Sequence, residues 1–138
     1  MRIRNRDERG AATIFVLLVS VALLVGAGLV IDGGYALAER RKLATQAEQA
    51  ARVGADSLQE ASLRDGGEPE VDPARARAAA SAYLEQVGAP NPTVTIDGQI
   101  VTVRLAGESK TATLSITGIT SITVTGTGSA ESIDQDSR

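Results

Sequence analysis

The sequence predicts an α+β protein in which a single N-terminal transmembrane helix continues into a long amphipathic helix, followed by a second short helix and a small antiparallel sheet. Three observations predict this class. Residues 11–31 carry no charge, and residues 33–64 are rich in alanine and in charged helix-forming residues. Residues 93–127 contain ten Thr and nine Val or Ile, the β-branched types that favour strands.

These composition changes divide the 138 residues into five segments. They are a basic N-terminus (1–10), a transmembrane helix (11–31), a long extramembrane helix (32–65), a small α+β domain (66–126, with a helix at 73–87 and strands within 93–126) and a polar tail (127–138). The transmembrane assignment rests on length, because 21 helical residues span about 31 Å and a hydrocarbon core is about 30 Å thick. Gly26 and Gly28 offer small surfaces for close helix packing in this span.

The orientation of the span is not decided by counting basic residues. Four arginines precede it within residues 1–9, and four basic residues follow it within residues 40–52. Arg9 lies close to the apolar boundary, whereas the opposite boundary begins with Asp32, and this asymmetry favours a cytoplasmic N-terminus. Asp32 itself has two interpretations: it sets the depth of the helix or pairs with a basic group on a partner helix, or it is an interfacial acid solvated by headgroup water.

The extramembrane helix presents a thin apolar stripe, which needs a cover from the chain's own sheet or from a second copy through residues 36–58. Its predicted members are Leu37, Ala44, Ala47, Ala51, Ala55 and Leu58. The Gly33-Gly34 pair is a place where this long helix could bend.

The second helix is predicted to begin at Pro73 with Asp72 as its N-cap and to end before Gly88. In the β-rich segment, Asp97-Gly98 predicts a hairpin that pairs Ile96 with Gln99 and Val94 with Val101. Further strands are expected around Leu114-Ile116 and Ile122-Val124. The polar residues from Gly126 onward are expected to fray.

Composition excludes several classes of function. The chain has no His and no Cys, which removes the usual ligands of zinc, copper and iron–sulfur sites. Three aromatic residues give no stacking platform for single-stranded nucleic acid, and residues 32–138 carry a net charge of −5, from 10 basic and 15 acidic residues. We therefore predict no catalytic, cofactor-binding or metal-binding residues, no nucleic-acid partner and no small-molecule substrate.

A secretory signal is the competing interpretation of the N-terminal region. Ala36-Leu37-Ala38 is an A-x-A tripeptide downstream of a basic and an apolar stretch, and signal peptidase cleavage after Ala38 would release a soluble binding module. Against this, the apolar run exceeds the usual 7–15 residues, and the tripeptide lies inside a helical pattern.

The order of the N-terminal motifs resembles a known family. Residues 9–15 (RGAATIF) lead into the apolar run that ends in Val30-Ile31-Asp32-Gly33-Gly34, followed by AERRKL at 38–43 and the alanine-rich QAEQAA at 46–51. This order is similar to the N-terminal module of TadE/TadG-like proteins of the tight adherence (Flp) pilus. On this resemblance the signature residues are Arg9, Gly10, Asp32, Leu43 and Glu48, the last standing where an Asp is usual.

The resemblance implies a bitopic bacterial inner-membrane protein whose C-terminal domain lies outside the cytoplasm, a minor-pilin-like structural component that serves pilus assembly, secretion and adhesion. It also implies a possible processing site between Gly10 and Ala11. Phe15 argues against cleavage there, because processed, pilin-like members carry Glu at this offset. This departure places the chain closer to the TadG-like than to the TadE-like members.

Overall fold

The computed structural model describes residues 7–65 and 72–131 of the chain. Its first element, α1 (Asp7–Asp65), is one continuous helix of 59 residues that passes through Gly33-Gly34 without interruption. In the described part of the chain, α1 is the helix that is long and apolar enough to cross a membrane. Most of the large apolar side chains between residues 14 and 31 are more than half exposed, as expected for a surface that faces lipid rather than a protein core.

The second helix, α2 (Pro73–Gln86), has well-formed caps at both ends. Asp72 Oδ1 accepts hydrogen bonds from the backbone N–H groups of Ala74 (2.9 Å) and Arg75 (3.3 Å). At the other end Gly88 adopts φ +62°, and the N–H groups of Gly88 and Ala89 donate to the carbonyls of Glu85 and Leu84. This is a Schellman motif, which explains why the helix ends before Gly88.

Three strands, β1 (Pro92–Asp97), β2 (Ile100–Lys110) and β3 (Ser121–Glu131), form an antiparallel sheet in the order β1-β2-β3. The hairpin register predicted from Asp97-Gly98 is wrong by two residues, because Ile96 pairs with Val101 and Val94 with Val103. The turn residues are Gly98 and Gln99, and Gly98, with φ +58°, takes the first central position as in a type II′ turn. A shift of two residues leaves every side chain on its predicted face.

The expectation of a strand around Leu114-Ile116 is also wrong. Leu114–Thr117 is a single 3₁₀ turn inside the connection between β2 and β3. The expectation that the chain frays from Gly126 is wrong as far as Glu131, because β3 extends to that residue and pairs with β2 along its whole length. The remainder of the predicted polar tail lies outside the described residues.

The core lies between one face of the sheet and the two helices. Every second residue of β2 from Val101 to Ser109 is buried, and α1 packs against β2, β3 and α2. The α1 side chains in this core are Leu43, Ala47, Ala50, Ala51 and Ala55. Leu37 is not part of the stripe, since it is 48% exposed, and the side chain of Leu58 lies outside the described residues. Of the two predicted covers for the alanine stripe, the chain's own sheet or a second copy, the structure shows the sheet.

Glycines allow the helix to approach the sheet closely. A Cβ at Gly126 or Gly128 of β3 would overlap the α1 backbone at Leu43-Ala44 and Ala47-Glu48. Further along the same helix, a Cβ at Gly54 would lie 3.1 Å from Val101 Cγ1 in β2 and 3.2 Å from the carbonyl oxygen of Ala76 in α2. Small residues therefore let α1 pack closely against both the sheet and α2.

Candidate functional site at the membrane end of the domain

The most specific arrangement of polar groups in the described residues surrounds Asp32, which is the first residue after the apolar run and is only 2% exposed. Its carboxylate accepts four hydrogen bonds from three consecutive backbone N–H groups of the connection between β2 and β3. Oδ1 accepts from Ala112 (2.7 Å) and Thr113 (3.2 Å). Oδ2 accepts from Thr113 (3.0 Å) and Leu114 (2.8 Å).

These donors favour the ionised carboxylate. The N–H of Leu114 is the largest contribution that lowers the pKa of Asp32 below its usual value, and the N–H groups of Ala112 and Thr113 act in the same direction. Burial opposes them by penalising the charged form. The hydrogen bonds outweigh the burial, so Asp32 remains an anion that holds the polypeptide next to it.

Residues 111–120 connect β2 to β3 and are named the 111–120 loop. Two hydrogen bonds join its ends: Thr111 donates from its backbone N–H to the carbonyl of Thr120 (3.1 Å) and from Oγ1 to the carbonyl of Ile119. Inside it, Ser115 Oγ donates to the carbonyl of Ala112 (2.6 Å), and Gly118 ends the 3₁₀ turn with φ +91°. The N–H groups of residues 112–114 are bound to Asp32 and cannot join the sheet, which explains why Leu114 does not begin a strand.

Gly28 lies one helical turn before Asp32, at the place where Thr113 meets α1. A Cβ on Gly28 would lie 2.7 Å from both Cβ and Oγ1 of Thr113, closer than side chains approach one another. Gly28 is buried, whereas Gly26 is exposed and has no neighbour within 4 Å of a built Cβ. Of the two glycines that the sequence offers for close packing, Gly28 thus contacts the chain's own loop.

Within the described residues the partners of Asp32 are backbone N–H groups of the same chain. The side chain is buried rather than exposed at the end of the apolar run, as an interfacial acid solvated by headgroup water would be. That Asp32 sets the depth of the helix, or pairs with a basic group on a partner helix, stays a prediction. The sequence singled out Asp32 by its position but could not indicate its partners, because backbone N–H groups are common to nearly all residues and these lie 80 to 82 positions away.

The other signature residues lie in different environments. Leu43 is fully buried, and one of its methyl groups lies 3.2 Å from the position a Cβ would take on Gly107. Glu48 is exposed, although its backbone contacts β3 at Gly128. Gly10 and Phe15 are exposed, Phe15 by 68%. Arg9 is helical, but its side chain lies outside the described residues.

An open cleft lies between α1 and β2. Both acidic and basic side chains line it, and Lys42 Nζ lies 3.3 Å from Glu39 Oε1. Its lining residues are Tyr35, Ala38, Glu39, Lys42, Glu108, Ser109 and Lys110. Among the residues that the structure describes, no three acidic side chains come together as a metal site would require.

Residues 10–57 match the family model described as putative Flp pilus-assembly TadE/G-like. The match begins at the membrane helix, includes Gly28 and Asp32, and ends within the part of α1 that packs on the sheet. It does not distinguish TadG-like from TadE-like members. No curated protein and no solved structure matches the chain. Residues 10–57 are thus similar to a TadE/G-like module of Flp pilus assembly. Together with the apolar N-terminal helix, this similarity points to a membrane anchor.

Proposed function

We propose that this protein is a minor-pilin-like structural component of Flp pilus assembly, without enzymatic activity. It is anchored in the bacterial inner membrane by residues 11–31, with the N-terminus in the cytoplasm and the β-sheet domain outside it. The observation that carries this proposal is the family match over residues 10–57, which covers the anchor and its junction with the domain. The Asp32 contacts support it, because they hold the domain at the end of the span.

The partners in this proposal are other pilus-assembly proteins. The alanine stripe of α1 is buried under the chain's own sheet, so a partner would meet exposed surface instead. Two such surfaces are the outer side of α1, with Arg40, Arg41 and Arg52, and the open face of the sheet, with Arg104 and Thr127. Charge on both surfaces fits contacts between extramembrane domains rather than contacts within the bilayer.

The test is removal of the protein from its native bacterium, followed by recovery of sheared Flp pili. We expect few or no pili without the protein and recovery when the wild-type chain is supplied. Complementation by Asp32→Ala tests whether the junction is needed, and the exposed Glu85→Gln, outside the matched residues, is its control. Normal piliation without the protein, in a strain with no second copy, would refute the proposal.

A secreted binding module released after Ala38 is the alternative. Cleavage there would cut the middle of a continuous helix and remove Gly28 and Asp32, leaving the N–H groups of residues 112–114 without their acceptor. Fractionation of the native protein separates the two. Full-length protein that resists carbonate extraction supports the anchored form, whereas a soluble chain that begins at Glu39 supports the secreted one.

A further inference from the structure

We propose that the 111–120 loop is a second membrane contact, which inserts Ile116 and Ile119 into the lipid surface beside α1. This goes beyond the proposed role in pilus assembly and requires only that residues 11–31 span a bilayer. Four observations support it. They are the depth at which the loop is attached, its exposed apolar side chains, the hydrogen bonding of its backbone N–H groups, and the exposed apolar surface of α1 beside it.

The attachment of the loop sets its depth. Asp32 directly follows the apolar run and binds the N–H groups of residues 112–114. Gly28, which contacts Thr113, lies three residues before the end of the run, or about 4.5 Å further into the membrane along the helix axis. The loop is therefore fixed beside the last turn of the span, where acyl chains meet headgroups.

The largest exposed side chains of the loop are apolar. Ile116 is 86% exposed and Ile119 is 50% exposed, and the ten residues of the loop include no charged residue. Leaving such side chains in water is unfavourable by about 25 cal/mol per Å² of apolar surface. Moving them into the lipid surface recovers this free energy without burying a charge.

The backbone of the loop is prepared for an environment with little water. An unpaired N–H group in a bilayer is costly, and most N–H groups of the loop are already hydrogen-bonded within the chain. Those that donate to Asp32 or to carbonyls of the loop are Thr111, Ala112, Thr113, Leu114, Ile116, Gly118 and Ile119.

Lipid, rather than another protein, is the occupant that the neighbouring surface favours. Leu29 and Ile31 on the last turn of the span are 50% and 51% exposed, so the apolar surface of the loop lies next to one that already faces lipid. Tyr35, one turn further on, is 59% exposed, and tyrosine favours the level of the headgroups. Lys110, the last residue of β2 and directly before the loop, is exposed and can reach lipid phosphate.

The chain has no cysteine, so single-cysteine variants can carry one environment-sensitive fluorophore each. The full chain is reconstituted as one copy per nanodisc of phosphatidylethanolamine and phosphatidylglycerol, with labels at Ile116→Cys or Ile119→Cys. Val21→Cys reports the middle of the span, and Arg104→Cys reports the open face of the sheet. Ile116 is so exposed that a label there leaves the packing of the loop unchanged.

We expect labels at 116 and 119 to emit at shorter wavelength than the label at 104 and to be quenched by lipids with shallow spin labels. Quenching by aqueous iodide should be several-fold weaker at 116 than at 104. The inference would be overturned if labels at 116 and 119 showed the same emission and iodide quenching as the label at 104 while the label at 21 was in lipid. That result would leave the membrane anchor intact. A label at 21 that is in water would overturn both.

Discussion

The carboxylate of Asp32 accepts hydrogen bonds from free backbone N–H groups, as the side chain of a helix N-cap does. An N-cap binds groups two or three residues away, whereas Asp32 binds groups about 80 residues away. The three N–H groups that it binds precede and open the 3₁₀ turn Leu114–Thr117, and such groups at the start of a helical turn attract anions. The consequence at the scale of one residue is that the shape and charge of this side chain both matter. Glu would be too long for the contact, and Asn would offer one accepting oxygen instead of two.

We therefore expect Asp32→Asn to weaken the attachment of the 111–120 loop. The Asn side chain would place an N–H₂ group against backbone donors, so the amides of residues 112–114 should exchange with solvent faster than in the wild type. Hydrogen exchange of the full chain in micelles measures this, with the exposed Glu48→Gln as control.

Acid provides an independent check of the same contact. The pKa of Asp32 is lowered in the folded protein, so its stabilising effect is full above the unfolded-state pKa of about 3.9 and is lost as pH falls through the lower folded-state value. Wild type and Asp32→Asn should differ in thermal stability at neutral pH and converge in strong acid. Equal stability and exchange at pH 7 would contradict the assigned role of the carboxylate.

At the scale of elements, the contact between α1 and β3 depends on glycines that let two backbones approach. Gly128 has the backbone of Ala47 and Glu48 where its Cβ would be, and a backbone cannot move aside as a flexible side chain can. We expect Gly128→Ala to destabilise the domain by about 1–3 kcal/mol or more, the usual cost of overpacking a core.

The matched control is Gly34→Ala, because a Cβ at Gly34 has open space and the residue is inside a helix. It should stabilise the protein by about 0.5–1 kcal/mol through helix propensity. Denaturant unfolding in micelles measures both variants. An unchanged free energy of unfolding for Gly128→Ala would show that α1 and β3 do not pack as closely as described.

The alanine stripe gives a second prediction at this scale. Ala47 and Ala51 are fully buried between α1 and the sheet, so Ala47→Asp or Ala51→Asp would place an unpaired carboxylate in the core. We expect a loss of several kcal/mol, sufficient to unfold the domain, whereas Glu48→Ala on the exposed side should change stability by less than about 0.5 kcal/mol. Domain stability that survives both aspartates would mean that the stripe is solvated.

The sequence was informative about elements and faces and less so about pairing. Residue types and caps are local signals, so the α+β class, the single long helix and the faces of the hairpin could be predicted. The predicted register is wrong because Asp97-Gly98 and Gly98-Gln99 both fit a two-residue turn, and the two registers expose the same faces. The strand predicted around Leu114 is wrong because the N–H groups of residues 112–114 donate to Asp32, a contact that no local sequence pattern indicates.

At the scale of the whole molecule, one helix is both the anchor and a part of the domain core, so the orientation of α1 fixes the side of the membrane on which the sheet lies. We predict that the sheet lies outside the cytoplasm. Alkaline phosphatase fused after Arg138 should be active, and a fluorescent protein that matures only in the cytosol should be dark. An inactive phosphatase fusion together with a bright fluorescent fusion would place the domain in the cytoplasm.

The second prediction at this scale concerns processing. If the chain were cut after Gly10, Ala11 would carry a new ammonium group in an apolar filament, and Phe15 offers no carboxylate to neutralise it. We therefore expect the protein to keep residues 1–10 and to stay in the membrane. Intact mass of the native protein extracted from membranes tests this, and a chain beginning at Ala11 in sheared pili would contradict it.

Because α1 continues through Gly33-Gly34 without a break, the same helix joins the apolar span to the sheet domain. A domain on a flexible tether turns independently of its anchor, whereas here a tilt or rotation of the helix in the bilayer carries the sheet with it. The part of α1 beyond Asp32 extends about 50 Å, so a tilt of about 10° would displace its far end by about 9 Å. A force applied in the membrane is thereby converted into a movement well above its surface.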